Sequence, residues 1–143
     1  YLQAEELMLS VKLNNVVFPP YEQVIPREFR RRVTALRDEM IDVLKRAEVM
    51  APEKTATVRI ELDKDSLKLT ADNPDLGVAH QEIEIEYQGE PLVAGFNARY
   101  LIEVLEVMDT KQVHLDFQGE LDPCVLRPVE GPDYLGVVMP MRI

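Results

Sequence analysis

The sequence predicts an α+β domain in which two helices pack on antiparallel sheets, and three observations predict it. The order strand, helix, three strands occurs twice, first over residues 28–87 and again over residues 91–139. Both helix-like stretches repeat apolar residues at helical spacing. The strand-like stretches alternate apolar and polar residues, with turn residues between them. Two such units make a domain with internal pseudo-symmetry, although the halves share order rather than residue identity.

Residues 7–13 place Leu7, Leu9, Val11 and Leu13 on one side and read as a strand, closed by Asn14-Asn15. From Phe18 to Pro26 three prolines fall in nine residues, which predicts an extended linker outside any central strand. Residues 28–34 read as a short strand whose arginine run suggests nucleic acid but is better explained as a solvated strand or domain rim. A helix is predicted over 36–50, with Leu36, Met40, Val43, Leu44, Ala47 and Met50 on one arc and Pro52 as its stop. Asp38, Asp42 and Lys45 face away, Ile41 lies at the edge, and Val49 projects off the apolar stripe.

Three strands come next, carried by Val58, Ile60 and Leu62, then Leu67, Leu69 and Ala71, then Ile83, Ile85 and Tyr87. Glu82, Glu84 and Glu86 alternate with the last set and give that strand an acidic outer face. The second half opens with a strand over 91–96. Asn97 then caps a helix over 98–108 that buries Leu101, Val104, Leu105 and Met108. Strands over 112–117, 123–129 and 134–139 complete it.

At 143 residues, 46% apolar and 29% charged, the chain fits one soluble domain, with no run near the roughly 18 apolar residues of a membrane span. A start at Tyr1 within strand-like sequence suggests a fragment of a longer chain. One cysteine, Cys124, forms no internal disulfide and suits a reducing cytosol. A net charge of −10 argues against a general electrostatic grip on nucleic acid.

Catalytic chemistry does not assemble. His80 and His114 lack partners at metal-ligand spacing, and Cys124 has no histidine near it in sequence. Glu82, Glu84 and Glu86 are better explained as a solvated face than as an acid/base pair. No Gly-rich phosphate loop and no nucleophile elbow occurs. No cofactor and no metal is expected. The Pro-rich linker and the apolar carboxyl tail, with Met139, Pro140 and Met141, remain as the makings of a groove for an apolar peptide.

Three landmarks in order, residues 18–26 (FPPYEQVIP), 95–101 (GFNARYL) and 137–143 (VVMPMRI), resemble the bacterial DNA polymerase III beta subunit, the sliding clamp; residues 70–74 (TADNP) resemble it as well. The resemblance implies the last of three domains. Residues 1–22 would be the closing strand of the preceding domain and the linker, and residues 23–143 the C-terminal domain. It implies a cytoplasmic, non-catalytic processivity factor: a head-to-tail homodimeric ring around duplex DNA, opened by a clamp loader, with the isolated fragment monomeric. Polymerases, loader subunits and mismatch-repair proteins would insert a Gln- and Leu-containing motif into one groove per subunit.

By motif match, that groove takes Pro19, Gln23 and Val24 from the linker and Leu121 and Pro123 from the strand region. Val137, Val138, Met139, Pro140, Met141, Arg142 and Ile143 complete this side. Gln23 stands where the family often has a basic residue. Val49 and Met50 become the expected subunit contact. Arg37, Lys45, Arg46 and Arg99 are the only cations offered to the DNA-facing helices, where acidic residues outnumber them. The tail itself is expected to leave its sheet at Pro140, since proline has no N–H to donate.

Overall fold

The computed structural model describes every residue except Tyr1, Asn15, Phe18, Pro19, Val24, Arg27 and Glu28, together with the side chain of Tyr21. Its elements keep the doubled order. The first half holds β3 (Arg31–Leu36), α1 (Arg37–Met50), β4 (Thr57–Asp63), β5 (Ser66–Asn73) and β6 (Gly77–Glu84). The second holds β7 (Leu92–Asn97), α2 (Ala98–Glu106), β8 (Gln112–Phe117), β9 (Cys124–Pro128) and β10 (Gly136–Val138). A hairpin of β1 (Leu2–Ala4) and β2 (Leu7–Leu9) precedes both.

Period-two alternation sets the strand faces. Val58, Ile60 and Leu62 on β4 point into the core with Leu67, Leu69 and Ala71 on β5, while Arg59 and Lys68 point out. The β5–β6 turn closes through the Asn73 side chain, which accepts the Asp75 amide at 3.0 Å. Gly77 then takes φ +103°, a conformation that suits a residue without Cβ. Helix α1 buries Met40, Ile41, Val43, Leu44 and Ala47, so Ile41 belongs to the buried face rather than its edge. Among the described residues no side chain caps α1; its first amide donates to the Lys111 carbonyl at 2.9 Å, and Asp38 and Glu39 supply negative charge to its first turn.

The topology is an exchange. One sheet runs β10-β9-β8-β3 and the other β6-β5-β4-β7, all neighbours antiparallel, so the first strand of each half pairs inside the other half's sheet. Two further bridges join the sheets at pseudo-equivalent places. Thr34 on β3 exchanges backbone hydrogen bonds with Glu86 at 3.2 and 3.0 Å, and Gly95 on β7 pairs with Met141. The halves therefore share one core. Phe96 and Phe117 meet across it, one from each sheet, with ring centroids 5.9 Å apart.

Several expectations need correction. Pairing in the first strand ends at Leu9, because its only partner among the described residues is the three-residue β1, and Leu7, Leu9, Val11 and Leu13 are all exposed. The first arginines divide: Arg30 and Arg32 are exposed, as a solvated rim requires, whereas the Arg31 guanidinium donates to the carbonyls of Glu90 at 3.0 Å and Gln118 at 2.8 Å. The last strand is short, Gly136–Val138, and α2 stops at Glu106.

Asn97 caps α2 as expected. Its Oδ1 accepts the amides of Arg99 at 2.9 Å and Tyr100 at 3.3 Å, and its Nδ2 donates to the Thr55 carbonyl at 2.9 Å. Asn97→Ala removes all three bonds and is expected to cost about 1–2 kcal/mol, read as a lower urea midpoint at unchanged slope.

Candidate functional site

The carboxyl tail does not fray after Pro140. The Met141 amide donates to the Gly95 carbonyl at 2.8 Å, and Thr57 Oγ1 lies 3.6 Å from the Met141 sulfur. Pro140 thus interrupts the ladder at one residue, and the chain re-engages on β7 instead of β9. The missing side chain at Gly95 makes this possible. A Cβ there would stand 2.3 Å from Ile143 Cγ2 and 2.8 Å from the Met141 carbonyl oxygen. Gly136 plays the matching part on β10, where a Cβ would meet Val104 Cγ1 at 2.2 Å; its absence lets α2 lie close against the strand.

This strapped tail forms a ridge between two hollows. The larger, about 670 Å³, lies between residues 137–141 and the outer face of α2. Its lining is mainly apolar: Val137, Val138, Met139, Pro140 and Met141 on one side, Tyr100 and Val104 on the other. Lys54, Thr55, Asn97 and Glu103 complete it. Lys54 and Glu103 offset each other in charge, and the Asn97 side chain is committed to its cap, so the hollow suits apolar side chains more than an ion. The smaller hollow, about 400 Å³, lies beyond the ridge and is lined by Val93, Leu121, Met141, Arg142 and Ile143 with Arg59 and Glu120.

The structure therefore brings together Val137 to Met141 in one hollow and Leu121, Met141, Arg142 and Ile143 in the other. Pro123 is half-buried just ahead of β9 and lines neither. Gln23 ends a 3-10 turn at Tyr21–Gln23, is exposed, and lines neither. Pro19 and Val24 lie outside the described residues. Sequence reasoning missed Tyr100 and Glu103. The signal was available for Tyr100, an aromatic on the polar side of α2 three residues past its cap, left 57% exposed.

Val49 and Met50 separate. Val49 is 75% exposed beside a second apolar residue, Leu76 at 62%, around a hollow of about 610 Å³. Met50 packs on the core instead. The helix cations are all engaged. Lys45 pairs with Glu106 at 2.7 Å and Arg99 with Glu48 at 2.6 Å, two ion pairs that link α1 to α2. The hydrogen bond to Glu106 holds the Lys45 ammonium above its ordinary pKa. Arg46 donates to Gln81 at 2.8 Å. Arg37 caps the end of α2 by donating to the carbonyls of Leu105 and Glu106.

Among the described residues, no other cluster competes. His80 is exposed and hydrogen-bonded to Thr70, and His114 to Thr34 on the outer sheet face, where burial lowers its pKa. Cys124 is fully buried, and burial raises its thiol pKa. Among the described residues, no group of three His, Cys, Asp or Glu side chains is placed to hold a metal ion. Nor is any helix long and apolar enough to cross a membrane.

Residues 22–142 match the family described as DNA polymerase III beta subunit, C-terminal domain. The beta sliding clamp of Pseudomonas putida is 35% identical over 138 residues, which covers 96% of this chain and 38% of that protein. A crystal structure of the DNA polymerase sliding clamp from Pseudomonas aeruginosa, with ligand, superposes with a TM-score of 0.88 at 34% identity over 92% of this chain and 36% of the other. A clamp from the same organism bound to griselimycin gives 0.86 at 33% identity, over 90% of this chain and 35% of that one. The chain thus spans little more than a third of the length of the relatives it matches.

Proposed function

This chain belongs to the DNA polymerase III beta subunit family, as its C-terminal domain, and from that premise we propose that it is the last domain of a sliding clamp whose apolar hollow receives peptide motifs of replication and repair proteins. The observation that carries the reading is the strapped tail. Met141 held on Gly95 turns an apolar chain end into a fixed wall facing Tyr100 and Val104 on α2. A pre-formed wall lowers the ordering entropy of binding, which loose chain ends pay in full.

That role assigns the remaining parts of the chain. Residues 1–22 are the closing strand of a preceding domain and the linker, and the exposed row of Leu7, Leu9, Val11 and Leu13 is the face that the preceding domain covers. Residues 23–143 form the C-terminal domain. Val49 and Leu76 form an apolar patch for the other subunit of a ring. Polymerase, clamp-loader, repair-polymerase and mismatch-repair partners enter through the groove, in the cytoplasm and without catalysis by this domain. Duplex DNA passes through the ring without sequence readout. Pairing of Lys45 and Arg99 with carboxylates mutes the helix faces electrostatically, which suits sliding, since each unpaired phosphate contact adds affinity and salt dependence.

The test is deletion of Met141, Arg142 and Ile143 from the full-length protein. Affinity for a peptide carrying a Gln- and Leu-containing motif is expected to fall by at least about 100-fold, with the solution mass of the ring unchanged. Retained affinity overturns the groove.

A further inference from the structure

Arg31 occupies a place that packing ordinarily gives to an aliphatic side chain. It opens β3, and alternation puts it on the same side as Val33 and Ala35, the side that faces the core. Strands β3 and β7 each run six residues and lead straight into a helix. Leu92, which opens β7, is therefore its counterpart in the other half, and Leu92 is buried. Arg31 is withdrawn from solvent as well, its side chain 13% exposed. All three nitrogens of its guanidinium donate: Nε to the Glu90 carbonyl at 3.0 Å, Nη1 to the Gln118 carbonyl at 2.8 Å and Nη2 to the Glu90 carboxylate at 3.2 Å. The hydroxyl of the buried Tyr87 donates to the same Glu90 carbonyl.

Both segments that Arg31 joins run into the smaller hollow. Gln118 leads into the turn between β8 and β9, which closes where the Asp122 amide donates to the Gly119 carbonyl at 3.3 Å. Glu120 and Leu121 are the middle of that turn, and both line the hollow. Glu90 lies just ahead of β7, and Val93 on that strand lines the hollow as well. Leu121 is 65% exposed, so its place is set by the stems of its turn rather than by burial of its side chain. A guanidinium here carries a desolvation cost that a leucine would not. What it supplies instead is a planar fork that holds two chains at one separation.

We infer that Arg31 is a positioning residue of the smaller hollow: its guanidinium fixes the turn over residues 118–122 against the lead into β7, and so sets the spacing of Leu121 and Val93 as two apolar contacts for the motif peptide. The inference rests on the groove reading above and extends it from the larger hollow to the smaller. Arg31 touches no ligand itself and acts through Leu121.

The experiment takes the full-length protein with Arg31→Leu, Arg31→Lys, Leu121→Ala and the double variant Arg31→Leu with Leu121→Ala. Arg31→Leu copies the residue that fills the matching place in the other half, and Arg31→Lys keeps the charge while losing the fork. Hydrogen exchange is read at the Asp122 amide, and affinity is read with a peptide carrying a Gln- and Leu-containing motif. Both Arg31 variants are expected to speed Asp122 exchange about tenfold and to weaken the peptide about tenfold, while β4 and β5 exchange at the wild-type rate. Leu121→Ala is expected to weaken the peptide by a similar factor, and adding Arg31→Leu to it should then cost less than about twofold more, because the two act through one contact. Asp122 exchange at the wild-type rate in both Arg31 variants overturns the clamp. Peptide affinity within about twofold of wild type in the Arg31 variants or in Leu121→Ala overturns the positioning role, as does a further tenfold loss in the double variant. A wild-type protein that binds no peptide refutes the groove reading instead, and Asp122 exchange then decides the clamp alone.

Discussion

Gly95→Ala is expected to abolish peptide binding while leaving the domain folded. The new methyl would lie 2.3 Å from Ile143 Cγ2 and 2.8 Å from the Met141 carbonyl oxygen, and the second of these is backbone, which no rotamer change relieves. The tail must lift, and the 2.8 Å bond from the Met141 amide to Gly95 goes with it. For stability the loss is one backbone hydrogen bond and some apolar contact, about 1–2 kcal/mol. For binding it is the whole of the proposed wall, Met139 to Met141, and on the groove reading the affinity is expected to drop by at least about 100-fold. Titration with a labelled motif peptide measures the affinity, and hydrogen exchange at the Met141 amide reports the strap. Gly119→Ala is the control, since its methyl meets only the Asp122 carboxylate, the free end of a side chain that can swing away. A Gly95→Ala protein that keeps Met141 protected shows that β7 yields instead of the tail.

How much of this was legible in the sequence depends on the range of the interaction. Local signals were readable: the α1 arc stops at Pro52, and Asn97 caps α2 as its residue type suggests. The doubled order was readable as well, because each strand carries its own alternation. The exchange of β3 and β7 between halves was not. Val33 facing Leu115 and Ile60 facing Ala94 are pairings between distant segments, and alternation assigns a face without assigning a partner. The tail leaves its ladder at Pro140 as expected, but its return onto β7 was not readable, for the same reason. Pro140 does lack an N–H, but the path of the chain beyond it depends on Gly95, a glycine far upstream in the first strand of the same half, which pairs inside the other half's sheet. Within the arginine run only Arg31 departs from its expected solvent-facing place, because Gln118 arrives from the turn after β8.

Phe96 is expected to be the most sensitive core position. It is fully buried on β7 in one sheet and meets Phe117, 1% exposed, on β8 in the other, at 59° between ring planes. Phe96→Ala removes the ring that joins the two sheets and leaves a cavity between strands held by their own ladders, so little collapse can fill it. The expected loss is about 4 kcal/mol, within the roughly 5–15 kcal/mol that a domain has in total. Urea unfolding of the 143-residue chain measures it, and a double-mutant cycle with Phe117→Ala isolates the contact between the rings, expected at about 1 kcal/mol. A loss below about 1.5 kcal/mol means that neighbouring side chains close the gap and that the sheets do not depend on this pair. The position also separates fold from function along three consecutive residues. Gly95 seats the tail, Phe96 joins the sheets, and Asn97 starts the helix that faces the tail. Phe96→Ala therefore should lower the folded fraction without changing the affinity of the molecules that remain folded, whereas Gly95→Ala should do the reverse. Peptide titrations corrected for the folded fraction distinguish the two, and a Phe96→Ala affinity that stays low after correction places the ring in the groove's support as well as in the core.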